Sequence, residues 1–532
     1  MSLNDKNYLY GDQTLTVPVH LNFGKYLLDR MKNFRDNIAL ENGETGETMT
    51  YGEFMQYAVN LAMALKELGV GPGSTVAVAS ERRLNFLGTE IAIMLVGATA
   101  TPYDPLIGSA VLKHKIGIVK PDVFIMSKKF WDNYEDILKK SEFIHTFLTF
   151  EDELGSAIPL KKILADKNID VDLFEPVPVK GQSDVALILY SSGTTGMPKG
   201  ILLTHLNCIL NSLPDGFKDP DLQTALVFGE WYHNYCTFMA FKFFSMGRKV
   251  VYANKLSMEV LPKIIEKCKV NIKLSVPAAI GYLSKAEGMD KYDLSSLKVL
   301  YSRSSPLHAK TMAKIMERFP TIKTIMQGYG MTEAGELSSE VWGTKGTRLG
   351  SVGMPTPGYT FKIADLTTGV ALGPNQNGEI RLRGPVLMKG YIGVDPSTYL
   401  DEDGFFKTGD LGFYDDDGYL FIIERIKEII NHGGFIVAPL ELETLLLLHP
   451  GVKEAGVVGK PDEDMDELPT AFVVRQPGTN YSAEELKEYV AGQVSKYMEL
   501  TGGIYFLDVL PRNQRGKILR RTLREMLKEN KV

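Results

Sequence analysis

Leu189-Tyr-Ser-Ser-Gly-Thr-Thr-Gly-Met-Pro-Lys-Gly200 follows an apolar run, Val185–Tyr190, and reads as the loop after a buried strand. Four hydroxyls (Ser191, Ser192, Thr194, Thr195), three glycines (Gly193, Gly196, Gly200) and Lys199 fall within ten residues. Glycines let backbone N–H groups close on phosphate oxygens, hydroxyls add donors, and the lysine adds charge. The loop is not a Walker A sequence, which needs Gly-Lys-Ser/Thr; here Pro198 precedes Lys199 and Gly200 follows it. A plain surface turn would account for the glycines but not for the hydroxyl density directly after a strand.

Outward from this loop, the first 330 or so residues alternate between two patterns. Short β-branched or apolar runs lie at Thr75–Ser80, Asp122–Met126, Phe143–Phe150, Lys249–Ala253, Val270–Val276, Leu297–Tyr301 and Lys323–Met326. Stretches between them carry helical spacing, as at Leu61, Leu65, Leu68 and at Val260, Ile264, Ile265, Cys268. Strands alternating with helices predict βαβ units and a parallel, buried sheet, with ligands in the loops beyond the strands' carboxyl ends. The chain has 50 glycines in 532 residues, and twenty of them lie between Gly328 and Gly434. There, short strands such as Gly378–Arg383 and Tyr419–Ile423 and turns such as Asp417-Gly418 predict an antiparallel, barrel-like region. Beyond Arg425 a small α+β piece follows. Its capping box Ser482-Ala-Glu-Glu485 precedes Leu486, Val490, Val494 and Met498 on one helical face. The expected fold class is therefore α/β: a large N-terminal domain over 1–426, with parallel sheets and a barrel-like region, and a small C-terminal domain over 427–532.

Composition excludes several classes. The formal net charge of −6 offers no basic field for nucleic acid. Three scattered cysteines, Cys208, Cys236 and Cys268, make neither a disulfide scaffold nor a zinc site. The longest apolar run, Ile91–Ala100, is too short to span a bilayer. The N-terminus lacks a secretory pattern and the C-terminus reads ENKV, not SKL, so a cytoplasmic location is expected.

Four more motifs occur downstream: Gln327-Gly-Tyr-Gly-Met-Thr-Glu333; Thr408-Gly-Asp410 with Glu424-Arg425; Arg425-Ile-Lys427; and Pro511-Arg-Asn-Gln-Arg-Gly-Lys517. With the phosphate loop, and in this order, the series resembles the adenylate-forming superfamily, which includes acyl- and aryl-CoA ligases, insect luciferases and peptide-synthetase adenylation domains. The resemblance covers nearly the whole chain and is strongest to the coumarate-ligase and insect-luciferase branch, including Lys120-Pro-Asp-Val-Phe-Ile-Met-Ser127 and Val437-Ala-Pro-Leu-Glu441. It implies ATP, Mg²⁺ and a small carboxylic acid as ligands, and a monomer or weak dimer. It implies that Ser191, Ser192, Gly193, Thr194, Thr195, Gly196 and Lys199 hold phosphates. Gly328, Tyr329 and Gly330 would border the adenine, Thr332 would reach the α-phosphate, and Glu333 would bind the metal. An aromatic face, a short hydroxyl and a hard oxygen suit those tasks. Asp410 and Arg425 would contact the ribose, Lys427 would be the hinge, and Lys517 would stabilise charge at the α-phosphate. His233 and Tyr235, in Glu230-Trp-Tyr-His-Asn-Tyr235, would line the acid pocket.

Three positions depart from the family pattern. Ser302-Arg-Ser-Ser-Pro306 places Arg303 and Ser304 where the family has glycines and alanine. Glu336 stands where small or apolar residues are usual; a carboxylate against an alkyl chain is costly without a partner. If Arg303 and Glu336 face the pocket, an aromatic or polar acid fits better than a fatty one; alternatively they face solvent or pair with each other. Asn431 replaces a common lysine, while Gly433 and Gly434 leave room for a pantetheine arm. The resemblance implies acid adenylation, then thioester formation with CoA. The alternative is a luciferase, in which a luciferin adenylate reacts with O₂.

Overall fold

The computed structural model describes residues 7–11, 16–191, 197–214, 219–227, 229–254, 259–284, 286, 288–303, 307, 309–340, 348, 350–512 and 518–529. The chain falls into two compact units. One comprises Tyr10–Thr360 and Arg383–Phe405; the other comprises Met1–Leu9, Phe361–Leu382 and Phe406–Val532. The division expected at Ile426–Lys427 lies inside the second, smaller unit.

The larger unit is α/β, with two extended sheets among its described residues. In the eight-stranded sheet, Val185–Tyr190, Thr99–Tyr103, Thr75–Ala79, Val123–Met126, Thr146–Thr149 and Ile158–Pro159 run parallel in that spatial order. Val76 to Ala79 and Phe124 to Met126 are wholly buried, as strands covered on both faces must be. Gly200–Thr204 turns back antiparallel to Val185–Tyr190, so the glycine-hydroxyl loop joins two neighbouring strands. The nine-stranded sheet carries the parallel series Ile38–Asn42, Lys249–Tyr252, Thr224–Leu226, Ile272–Ser275, Val299–Ser302 and Thr324–Met331.

Thr324–Met331 changes partner along its length. Thr324 to Gln327 pair parallel with Val299–Ser302, and Gly328 to Met331 pair antiparallel with Gly335–Ser339. The change falls at the first glycine of Gln327-Gly-Tyr-Gly, where the buried stretch of the strand gives way to an accessible one.

The smaller unit holds an antiparallel five-stranded sheet that includes Gly378–Arg383, Phe406–Tyr414 and Leu420–Arg425, and a second sheet built on Val452–Asp462 and Asp466–Arg475. Gly418, in the turn between Phe406–Tyr414 and Leu420–Arg425, has φ +86°, a left-handed conformation that asks for glycine. The capping box is present: Ser482 Oγ accepts from Glu485 N–H, and Ser482 N–H donates to Glu485 Oε2 at 2.7 Å. The helix it starts, Ala483–Ala491, is shorter than the apolar spacing suggests. It stops at Gly492, a poor helix former, and Met498 reaches the same core from a separate turn, Lys496–Met498. All three cysteines are buried, and none is in a disulfide. Among the described residues, no helix is long and apolar enough to cross a membrane.

Candidate nucleotide and acid site

The base of the phosphate loop is closed by a reciprocal contact. Ser191 N–H donates to the Lys199 carbonyl (3.1 Å), and Lys199 N–H donates to Ser191 Oγ (3.1 Å). Ser192, Gly193, Thr194, Thr195 and Gly196 lie outside the described residues. The Lys199 ammonium stands 5.0 Å from the centroid of the Tyr391 ring. The Tyr391 hydroxyl donates to Glu333 Oε1 at 2.8 Å. Lys199, Tyr391 and Glu333 thus join the phosphate loop to the 327–333 motif, although nearly 200 residues separate the outer two in sequence. Tyr391 belongs to a two-residue strand, Gly390–Tyr391, paired with Ile201 and Leu202. Nothing in its local sequence marked it.

The Glu333 carbonyl accepts from Met388 N–H at 2.7 Å, which fixes the backbone behind the carboxylate. No cluster of three or more His, Cys, Asp or Glu side chains gathers for a metal among those residues. One carboxylate completed by phosphate oxygens and water suits Mg²⁺, which keeps much of its hydration. Tyr329 and Thr332 are half-buried beside Glu333 at the end of the same strand. Behind them, Gln327 N–H donates to Glu340 Oε2 (2.9 Å), while Glu340 Oε1 is buried with no partner among the described residues. Burial pushes the Glu340 carboxyl up to about 7, against a smaller opposing effect of the Gln327 bond.

Arg303 and Glu336 face each other. Arg303 Nη2 is 2.7 Å from Glu336 Oε1 and 2.5 Å from the Tyr301 hydroxyl, which itself donates to Glu336. Lys242 Nζ approaches Glu336 Oε2 at 3.5 Å. Burial alone would raise the Glu336 pKa, but Arg303, then Lys242 and the Tyr301 hydroxyl, pull it down to about 2. Of the arrangements left open by the sequence, the two residues pair, inside rather than toward solvent.

The glycines make the pairing possible. Gly330 stands opposite Glu336 in the antiparallel register. A Cβ on Gly330 would lie 2.8 Å from Arg303 Nη1, and one on Gly328 would lie 3.0 Å from Nη2. Gly328 and Gly330 therefore admit the guanidinium across the strand, whatever room they also leave for a nucleotide. Tyr301 and Lys242 complete the group, and nothing local in their sequence marks either.

His233 is the N-cap residue of the helix Asn234–Ser245, which also carries Tyr235 and Lys242. Its ring lies 4.5 Å from that of Tyr232. Tyr235 packs edge-on to Tyr301 with centroids 6.1 Å apart, and Arg303 sits 5.0 Å from the Tyr235 ring centroid. Asn234 Nδ2 donates to the Met331 carbonyl at 3.5 Å, tying the helix start to the 327–333 motif. Ser304 lies outside the described residues.

Asp410, Arg425, Lys427 and Gly434 belong to the smaller unit. Asp410 and Arg425 are register partners, with Arg425 Nε 2.7 Å from Asp410 Oδ1. The Asp410 side chain is almost wholly buried, whereas that of Arg425 keeps 37% exposure. Thr408 shapes the turn: its hydroxyl donates to the Ile380 carbonyl (2.6 Å) and accepts from Asp410 N–H (3.0 Å). Lys427 is exposed in the short turn Ile426–Glu428. Gly434 has φ +83° and open space where a Cβ would stand.

Lys517 lies outside the described residues, but its flanks are fixed. Arg512 and Ile518 form a β-bridge, Leu519 N–H donates to the Pro511 carbonyl, and Arg512 pairs with Glu454 at 2.7 Å. Arg520, which begins the next helix, pairs with Glu443 at 2.7 Å and approaches Glu424 at 3.8 Å.

The larger unit thus carries the base of the glycine-hydroxyl loop, Glu333 and the Arg303–Glu336 pair, and the smaller unit carries Asp410 with Arg425. Residues 27–392 match the model of the AMP-binding enzymes, and residues 441–517 match that of the AMP-binding enzyme C-terminal domain. The chain is 34% identical to a luciferin 4-monooxygenase of Photuris pensylvanica, over 99% of each chain. It is 33% identical to 4-coumarate-CoA ligase 1 of Narcissus pseudonarcissus, over 96% of this chain and 94% of that one. The crystal structure of ATP-bound MatB from Rhodopseudomonas palustris superposes with a TM-score of 0.86 at 27% identity, covering 96% of this chain and 100% of the other. The chain belongs to the AMP-binding, adenylate-forming enzyme superfamily that contains the luciferases and the coumarate–CoA ligases.

Proposed function

We propose that the protein activates a small aromatic or polar carboxylic acid with ATP and then passes the acyl group to CoA. The observation that carries the first half is the Lys199–Tyr391–Glu333 connection, which sets a cation over the ring of one tyrosine and a carboxylate at its hydroxyl. In this reading the loop 191–200 would hold the β- and γ-phosphates, and Glu333 would stand nearer the α-phosphate. Glu333 would hold Mg²⁺, which would neutralise part of the triphosphate charge.

In the first step a carboxylate oxygen of the acid attacks the α-phosphorus. The bond to the bridging oxygen breaks, and pyrophosphate leaves with its electron pair. Tyr329 lies against the adenine, Asp410 accepts the ribose hydroxyls beside Arg425, and the Thr332 hydroxyl donates to the α-phosphate. Lys517 faces the charge that grows on the pentavalent phosphorus, where a fixed cation lowers the barrier. His233 and Tyr235 border the acid. In the second step the CoA thiolate attacks the acyl carbon, and AMP departs. A division into 1–426 and 427–532 with a pivot at Lys427 would let the small domain serve both steps in turn, with Gly434 leaving room for the pantetheine.

A second reading, attack of O₂ on a luciferin adenylate with light emission, draws support from the likeness to the Photuris enzyme. One experiment separates the two. ATP is supplied with fatty, cinnamic and heteroaromatic acids, with and without CoA, and AMP, thioester and photons are measured together. A CoA-dependent thioester with a non-fatty acid is expected. Light without CoA would favour the second reading. Lys517→Ala is expected to lower acid-dependent pyrophosphate exchange by about 10²–10³-fold while ATP binding holds; normal exchange would remove Lys517 from its role.

A further inference from the structure

One helix of the larger unit touches both stems of the glycine-hydroxyl loop. Tyr190 ends the incoming strand, just before Ser191, and Pro198 and Lys199 lead into the outgoing strand Gly200–Thr204. The helix Ser109–Val119 packs Leu112 and Ile116 into the same core as Tyr103 and Tyr190. Consecutive helical residues point about 100° apart, and here His114 and Lys115 take one stem each. The Lys115 ammonium lies 3.9 Å from the Tyr190 ring centroid, a cation over a π face. The Tyr190 hydroxyl is also 2.9 Å from Thr101 Oγ1 and donates to the Tyr103 hydroxyl at 3.1 Å. On the other stem, His114 Nε2 is 3.0 Å from the Pro198 carbonyl oxygen. A carbonyl only accepts, so that nitrogen carries the hydrogen and donates.

The Pro198 carbonyl and the Lys199 N–H belong to one planar trans peptide group and point opposite ways. His114 holds the carbonyl end, and Ser191 Oγ accepts from the N–H end at 3.1 Å. The plane cannot turn without giving up one of these bonds. The two strands are already paired from Gly200 and Tyr190 inward, so the His114 bond is not needed to join them. What it sets is direction. Ser191 Oγ accepts from Lys199 N–H and keeps its own hydrogen to donate. Lys199 leaves the same peptide and carries its ammonium to 5.0 Å from the Tyr391 ring centroid.

We propose that His114 is a positioning residue for the polyphosphate part of the nucleotide. By holding the Pro198–Lys199 peptide, it aims the Ser191 hydroxyl and the Lys199 ammonium at the β- and γ-phosphates. It acts through the peptide and not on the phosphates. The inference rests on the phosphate role proposed above for the loop 191–200.

The test titrates the full chain with ATP, inorganic pyrophosphate and AMP, each with Mg²⁺, by calorimetry. His114→Met keeps the length of the side chain and removes its donor. ATP and pyrophosphate are expected to bind about five- to tenfold more weakly, the loss of one aligned hydrogen bond. AMP, which has no β- or γ-phosphate, is expected to bind as before. His114→Gln puts an amide N–H where Nε2 stood and is expected to restore both affinities. His114→Asn, whose amide falls one carbon short, is expected to follow the methionine variant, and thermal melting shows which variants fold. Unchanged ATP binding in a folded Met or Asn variant overturns the assignment alone. So does an equal loss for AMP, a Gln variant no better than the Met one, or failure of both the Met and Asn variants to fold, which would make His114 structural. A wild-type chain that binds ATP no more tightly than AMP overturns the phosphate role of the loop, and this inference falls with it.

Discussion

Two ion pairs stand among the candidate residues, one within each unit, and they are built oppositely. Arg303 and Glu336 keep only 8% and 19% side-chain exposure, and Lys242 and Tyr301 close round them. Asp410 is buried too, but its partner Arg425 is more than a third exposed. In the first pair both charges depend on each other, because water reaches neither freely. In the second, solvent can take over one partner. A closed pair organises its surroundings and is expensive to break, whereas a half-open pair can exchange its contact for a ligand at small cost.

The sharpest way to break that contrast is Glu336→Ala, which leaves Arg303 and Lys242 beside an empty space. A loss of about 3–5 kcal/mol is expected in denaturant unfolding of the larger unit. A loss below about 1 kcal/mol would place this pair in the same class as the other. Next comes Glu340→Gln, behind the same strand. The Glu340 pKa is raised on folding from 4.5 to about 7, so the folded state holds the proton more tightly. Its contribution is complete below 4.5 and is lost as pH rises toward 7. Wild type should lose on the order of 2 kcal/mol across that window, and Glu340→Gln should flatten the loss. Melting temperatures measured over the range would read it, and equal slopes would refute it.

Asp410→Ala should change stability by less than about 1 kcal/mol, yet raise the KM for ATP by about tenfold. An effect on melting without one on KM would make this pair structural as well. The smallest change is expected from Tyr391→Phe. Losing one hydrogen bond to Glu333 should cost about 1 kcal/mol in kcat/KM, with a shifted Mg²⁺ requirement and an unaltered fold; unchanged Mg²⁺ dependence would detach Tyr391 from the metal role proposed for Glu333.

What the sequence made legible follows the range of the interaction. The buried parallel strands at Thr75–Ala79, Val123–Met126 and Ile272–Ser275 were visible because continuous apolar runs are a local signal. The Ser482 cap was visible for the same reason. Thr99–Tyr103 was harder, since it continues an apolar run that the helix Phe86–Leu95 already occupies. The pairing of Arg303 with Glu336 was legible only as one alternative. It depends on the register that sets Gly330 opposite Glu336, and on two glycines whose bare Cα atoms let a guanidinium cross the strand. Tyr391 and Lys242 enter the site wholly through tertiary packing, and their neighbours in sequence say nothing of it.

The Arg520 contacts have a mechanical side. Its grip on Glu443 is short, at 2.7 Å, and its reach to Glu424 is long, at 3.8 Å. Glu424 precedes Lys427 and Glu443 follows it, so the two contacts fall on either side of the proposed pivot. Leu440 N–H also donates to Glu424 Oε2 at 3.1 Å, so a direct hydrogen bond spans the proposed pivot beside the longer Arg520 reach. A rotation at Lys427 would have to release both, which would make Glu424 the latch of the proposed joint.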